Sequence, residues 1–248
     1  MPRKLSLLIS LFAVALPACA DEVRIAVAAN FSAPMKVIAA QFEKDTGHLV
    51  LASYGSTGKF YTQILHGAPF EILLAADHQT PIKLDHERAT VPGTRFTYAI
   101  GKLVLWSAQA GFVDDKGEVL RKANFAHVAL ANPKLAPYGA AAVDVMQKMK
   151  LYSALEPKLA LGENIAQTHQ FIVSGAAALG FVAMSQVFEG GKLKSGSAWL
   201  IPGDLYSPSR QDAVLLAKGK GKRAANAFIT YLKTEKTKAV ITAFGYDL

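Results

Sequence analysis

The chain has 248 residues, 51% of them apolar, with a single cysteine and a formal net charge of +8. One cysteine excludes a disulfide-stapled fold, so the chain must be held by a hydrophobic core, and this length can build one as two lobes. The cations are scattered. Their one dense run, Lys218-Gly219-Lys220-Gly221-Lys222-Arg223, reads as a solvated loop and not as a nucleic-acid patch, while a modestly basic surface draws in anions.

Residues 1–20 read as an export signal. Arg3 and Lys4 precede an apolar run from Leu5 to Leu16, and Ala18-Cys19-Ala20 offers small residues before Asp21. The run is too short to span a bilayer, which argues against a membrane anchor. Leu16-Pro17-Ala18-Cys19 loosely resembles a lipidation box. Its proline is awkward there, so cleavage after Ala20 is preferred over lipidation at Cys19. Cleavage removes the only cysteine and leaves a soluble exported chain, for which nucleic acid is an improbable partner.

Val23 to Ala28 is a strand-like apolar run, and Ser32 and Pro34 suit the start of a helix. Met35, Ile38, Ala39 and Phe42 recur at helical spacing up to the stop at Gly47. His48–Ser53 reads as a strand, Gly58–His66 as a helix, Phe70–Ala75 as a strand and Thr80–Arg88 as a helix. This alternation predicts a mainly parallel sheet covered by helices.

The long extended stretch from Phe96 to Trp106, split at Gly101, predicts a crossing between lobes. The pattern then restarts. Strands are expected at His127–Ala131, Gly180–Met184 and Gln211–Ala217, and helices at Gly139–Lys150, Asn164–Val173, Ala224–Lys233 and Lys236–Phe244. The expected architecture is α/β, each lobe a mixed, mainly parallel sheet flanked by helices, with two crossing strands that let the lobes hinge. Lobe one would comprise residues 21–102 and 211–248, and lobe two residues 103–210.

Two corners stand out. Ala28-Ala29-Asn30-Phe31-Ser32 and Tyr54-Gly55-Ser56-Thr57-Gly58-Lys59 each lie where a strand hands over to a helix. A helix N-terminus carries unpaired N–H groups and a partial positive charge, so both corners are candidate oxyanion sites. Gly55–Lys59 resembles the tail of a nucleotide-binding P-loop but fails it, with Ser53 in place of the first glycine and Phe60 in place of Ser/Thr. The corner at Asn30 can equally serve as a helix cap. His86-Glu87-Arg88-Ala89-Thr90 breaks the zinc-protease pattern at Thr90, and no Gly-x-Ser-x-Gly elbow exists. Asp77 reads as a loop cap.

The chain resembles the periplasmic molybdate-binding proteins, solute receptors of ABC importers. The resemblance rests on Ala28–Phe31, Gly55–Gly58, Gly67–Ile72 with Ala75–Asp77, Ala131–Pro133 with Ala136–Gly139, Gly162–Ile165, Leu179–Ala183 and Phe244–Tyr246. No one motif is specific; their ordered set, from Val23 to Leu248, is. It implies a type II periplasmic receptor that performs no chemistry, needs no cofactor, acts as a monomer and passes its ligand to a membrane permease. Molybdenum or tungsten would be held as the tetrahedral oxyanion, with no direct metal ligand. Carried over by position, Asn30 would offer its backbone N–H and side-chain amide, Ser56 or Thr57 a hydroxyl and backbone N–H, and Tyr138 and Ile165 their backbone N–H groups.

The chain departs from the family pattern at Ala183, where many members carry a tyrosine that bonds the anion, and at Ala29, where some carry a hydroxyl. Two alternatives stay open on the residues alone. One is a receptor for sulfate or phosphate, although phosphate receptors usually need an acceptor carboxylate that neither corner supplies. The other is a secreted hydrolase using Ser56 with a distant histidine.

Overall fold

The computed structural model describes residues 20–207 and 209–248. The export signal and the lipidation alternative at Cys19 fall on residues 1–19, outside the described residues.

The chain builds two five-stranded sheets. The strands run β1 (Glu22–Ala28), β2 (Leu49–Gly55), β3 (Ile72–Leu74), β4 (Phe96–Gly101), β5 (Leu103–Ser107), β6 (Val128–Ala131), β7 (Leu159–Gly162), β8 (Leu179–Ala183), β9 (Phe188–Glu189), β10 (Lys192–Leu193), β11 (Ser197–Leu200) and β12 (Ser209–Leu215). Between them come α1 (Ser32–Thr46), α2 (Thr57–Leu65), α3 (Gln79–His86), α4 (Glu118–Lys122), α5 (Pro137–Lys148), α6 (Tyr152–Leu155), α7 (Ile165–Val173) and α8 (Met184–Val187), and α9 (Arg223–Tyr231) and α10 (Glu235–Ala243) close the chain.

The first sheet has the order β2-β1-β3-β12-β4, with β1 parallel to β2 and β3, and β12 antiparallel to β3 and β4. The second has the order β11-β5-β8-β6-β7, with β6 parallel to β7 and β8, and β5 antiparallel to β8 and β11. The inner strands β3, β5, β6 and β8 are buried along their whole length. That is why they read as unbroken apolar runs and do not alternate. The edge strands β7 and β11 have mixed burial, and neither is predicted from the sequence, because a short half-exposed edge carries little apolar signal.

Both cores are built from helix faces on sheet faces. In the first lobe Phe31, Met35, Ile38 and Phe42 pack with Phe228 and Ile241 on the sheet. Phe31 meets Tyr98 and Tyr246 edge-on, at ring separations of 4.8 and 5.5 Å. Aromatic pairs of this kind contribute about 0.5–1.5 kcal/mol beyond their buried area. They hold the chain rigidly beside Asn30.

One predicted detail is corrected. Ser32 does not cap α1: the helix is entered through a 3₁₀ turn at Ala29–Phe31, and no side chain accepts a bond at its start. The tighter turn closes the first backbone bonds itself, which leaves the capping role empty. Asp77, by contrast, acts as the expected loop cap, accepting bonds from the Thr80 N–H at 2.6 Å and the Thr80 hydroxyl at 3.1 Å.

The chain crosses from the first sheet to the second at Lys102, between β4 and β5, and returns between β11 and β12. Gly101 sits at the first crossing. A Cβ there would stand 2.0 Å from the Tyr138 hydroxyl and 2.5 Å from Gln211 Nε2, so only glycine lets these groups approach the crossing strand. The break at glycine seen in the sequence is therefore a packing requirement of the junction.

Candidate functional site

The strand ends β1 and β2 of the first lobe and the starts of α5 and α7 of the second meet around one small pocket. It is lined by Ala28, Ala29, Asn30, Gly55, Ser56, Thr57, Ala76, Ala136, Pro137, Tyr138, Asn164 and Ile165, with a volume of about 10 Å³. All five site residues expected from the sequence, Asn30, Ser56, Thr57, Tyr138 and Ile165, are in this lining. They come from four separate stretches of chain and both lobes. No lining residue is Asp, Glu, His, Lys or Arg.

Each corner presents backbone donors for a local reason. Ser56 is the N-cap of α2 in extended conformation and makes no side-chain cap bond, so the first N–H groups of the helix lack intrahelical acceptors. Ser56 is 3% exposed, and its hydroxyl oxygen is buried with no hydrogen-bond partner among the described residues. Leaving such a group unpaired costs about 1–3 kcal/mol. Thr57 is used differently: its Oγ1 accepts from the Ala76 N–H at 3.0 Å, tying the start of α2 to the end of β3.

In the second lobe, Pro137 opens α5 at its first position, where the missing N–H costs nothing. Tyr138 follows it in the first turn. At α7, Asn164 caps the helix, its Oδ1 accepting from Ala166 and Gln167 N–H at 2.9 and 3.1 Å. The cap satisfies the second and third N–H groups and leaves that of Ile165, the first helical residue and part of the pocket lining, without an intrahelical acceptor. Ile165 needs no polar side chain for this role.

One expected donor is committed elsewhere. The Asn30 side-chain amide donates to Gln211 Oε1 and to Tyr246 Oη, both at 2.9 Å. Both of its N–H donors are spent, so only the backbone N–H remains for a ligand. The Tyr138 hydroxyl accepts from Gln211 Nε2 at 3.1 Å, so this side chain points into the structure behind the pocket. Ala183, the expected departure from the family pattern, is fully buried, lies outside the pocket lining, and has its N–H bonded to Gln186 Oε1 at 2.9 Å.

Behind the pocket lies a polar network not evident from the sequence. Tyr246 Oη donates to the Asn30 carbonyl at 2.8 Å, Ser185 Oγ reaches the same carbonyl at 2.9 Å, and the two hydroxyls lie 3.0 Å apart. Tyr98 Oη lies 3.1 Å from both Gln211 Oε1 and the Ala75 carbonyl. Residues 30, 98, 211 and 246 belong to the first sheet and its helices, and 138 and 185 to the second lobe, so the network spans the cleft. Its members are scattered over more than 200 positions, and no spacing rule links them. Only the paired lobes bring them together.

Burial governs the electrostatics here. Desolvation pushes Tyr246 up to about 12 and raises Tyr98 and Tyr138 well above the ordinary tyrosine value. All three therefore stay neutral at physiological pH and add no negative charge behind the pocket. At the rim, Lys59 Nζ pairs with Glu163 Oε2 across the cleft at 2.7 Å. Lys59 is thus held by its partner and does not face the pocket as a free cation.

This arrangement suits an anion and little else. Convergent backbone donors and one unpaired hydroxyl, with no charge in the wall, make a neutral oxyanion cradle. A hydrolase using Ser56 is not assembled, because no histidine lines the pocket and Ser56 Oγ touches no base. No carboxylate is present to accept the proton of a protonated phosphate.

The comparisons with known proteins agree with this geometry. The family of bacterial extracellular solute-binding proteins matches residues 23–247. The molybdate-binding protein ModA of Azotobacter vinelandii is 59% identical over 251 residues, covering 100% of both chains. ModA of Rhodobacter capsulatus is 54% identical, covering 94% of this chain and 91% of its own. The solved structure of the Azotobacter vinelandii periplasmic molybdate-binding protein superposes with a TM-score of 0.88 at 41% identity, covering 91% of this chain and 99% of that one.

Proposed function

The chain belongs to the bacterial extracellular solute-binding proteins, and we propose that within that family it captures molybdate, and tungstate with it, as a tetrahedral oxyanion in the periplasm. The observation that carries this reading is the pocket itself: buried, free of charged side chains, and holding a hydroxyl on Ser56 that lacks a partner. An oxyanion oxygen supplies the missing acceptor. Relatives more than 50% identical that are named for molybdate support the choice of ion.

In this reading Ser56, through its hydroxyl and N–H, and the backbone N–H groups of Asn30, Thr57, Tyr138 and Ile165 surround the anion. Hydrogen bonds to a charged acceptor are roughly twice as strong as neutral ones, and fixed backbone donors lose little entropy on binding. In a closed cleft of low dielectric they hold a dianion without a full counter-charge. The lobes hinge at the two crossings and close on the ligand, the boundary expected at residue 211 falling instead at Ser209, where β12 joins the first sheet. No bond is made or broken. The loaded receptor then delivers its anion to the membrane permease of an ABC importer.

Isothermal titration of the chain from Asp21 with molybdate, tungstate, sulfate and phosphate tests this. The expected result is one-to-one binding of the first two with no heat from the others. Binding of sulfate alone would keep the fold and change the substrate. Silence toward all four would overturn the oxyanion reading.

A further inference from the structure

We propose that Gly58 is the interlobe stop that sets the closed width of the pocket, and thereby the size of anion it accepts; the inference rests on the receptor reading above. Gly58 lies in the first turn of α2, and its N–H donates across the cleft to the Leu135 carbonyl at 2.9 Å. A Cβ on residue 58 would stand 3.0 Å from Leu135 O and 3.1 Å from Leu135 Cα. Two backbones of opposite lobes are therefore in direct contact, with no side chain between them to yield.

The contact is placed where it governs the pocket. Ser56 and Thr57 immediately precede Gly58, Ala136 and Pro137 immediately follow Leu135, and all four line the pocket. A change of a few tenths of an ångström between Gly58 and Leu135 is passed within one or two residues to the donors on both walls. Hydrogen bonds have a narrow optimum near 2.9 Å, so donors fixed on rigid helix starts discriminate anions by radius. The neighbouring Lys59–Glu163 pair also bridges the cleft, but its side chains are 43% and 63% exposed. Such a pair contributes little and adapts to many spacings. The rigid backbone contact sets the distance, and the ion pair follows it.

The test titrates the wild-type chain, Gly58→Ala and Gly58→Leu with molybdate, tungstate and sulfate, and melts each without ligand. Gly58→Ala should lose about tenfold in molybdate affinity and Gly58→Leu more, with molybdate and tungstate affected alike and the ligand-free melting temperature retained. The chain from Asp21 has no cysteine, so Lys44→Cys and Gln147→Cys, one on each lobe, carry spin labels cleanly. In Gly58→Leu with anion the label-to-label distance should exceed that of the wild type. Equal affinities, with wild-type spacing, would overturn the stop while leaving the receptor reading intact. Loss of the folded state in Gly58→Ala would overturn it too, because a contact between lobes is relieved by opening and not by unfolding. A wild-type chain silent toward all three anions would remove the receptor reading itself, and the stop with it.

Discussion

Ser56 and Thr57 are adjacent, chemically similar and both buried, yet the structure gives them different work. Thr57 Oγ1 accepts from the Ala76 N–H, whereas Ser56 Oγ has no partner. From the sequence the two hydroxyls are interchangeable; their difference comes from the segment just after β3, whose Ala76 N–H meets one of them. Ser56→Ala therefore removes a donor to the anion without breaking any protein–protein bond. The expected result is a loss of about 1–3 kcal/mol in anion binding, roughly fivefold to 160-fold, with ligand-free stability unchanged or slightly improved. Titration calorimetry and a thermal melt read the two quantities separately. A stability loss with unchanged affinity would show that the hydroxyl is structural.

At the scale of elements, the site is a set of helix starts. The corners after β1 and β2 are legible in the sequence, because small and polar residues follow apolar runs there, and the 3.6-residue period begins immediately afterwards. The helix expected from Gly139 begins two residues earlier, with Pro137 in its first turn. Ile165 is marked only by family resemblance, since the contribution proposed for it is a backbone N–H and its side chain is apolar. What places that N–H is Asn164, whose cap settles the neighbouring donors and fixes the first turn of α7. Asn164→Ala should destabilise the fold by about 0.5–2 kcal/mol through loss of the cap. It should also weaken anion binding, because the first turn frays; denaturant unfolding and titration would read both. Retained affinity at reduced stability would separate Ile165 from the ligand.

At the scale of the whole molecule, the residues behind the pocket join the two lobes. Tyr98, Tyr138 and Tyr246 share Gln211, Asn30 and Ser185 in one buried network, and desolvation raises all three tyrosines. A phenol whose value is raised on folding favours the protonated folded state. Its stabilisation is complete below the unfolded value near 10 and falls as pH rises above it. Stability should therefore be insensitive to these groups through neutral pH and decline from about pH 10 towards 12. Tyr246→Phe should flatten that decline. A melting curve that falls equally steeply in the variant would assign the alkaline loss to other groups.

The division between sequence and structure follows from range. Local chemistry determined by itself the alternation of strands and helices, the stop before Gly47, the break at Gly101 and the two strand-to-helix corners that line the pocket. Each depends on neighbours a few residues away, through apolar period, turn chemistry and helix-end donors. The tertiary structure alone decided which hydroxyl stays unpaired, that the Asn30 amide serves Gln211 and Tyr246, and that β7 and β11 form edges. These depend on strands and lobes that meet across distances from 19 residues, between Thr57 and Ala76, to 216, between Asn30 and Tyr246. Burial, and not composition, sets the cost of leaving a polar group without a partner there.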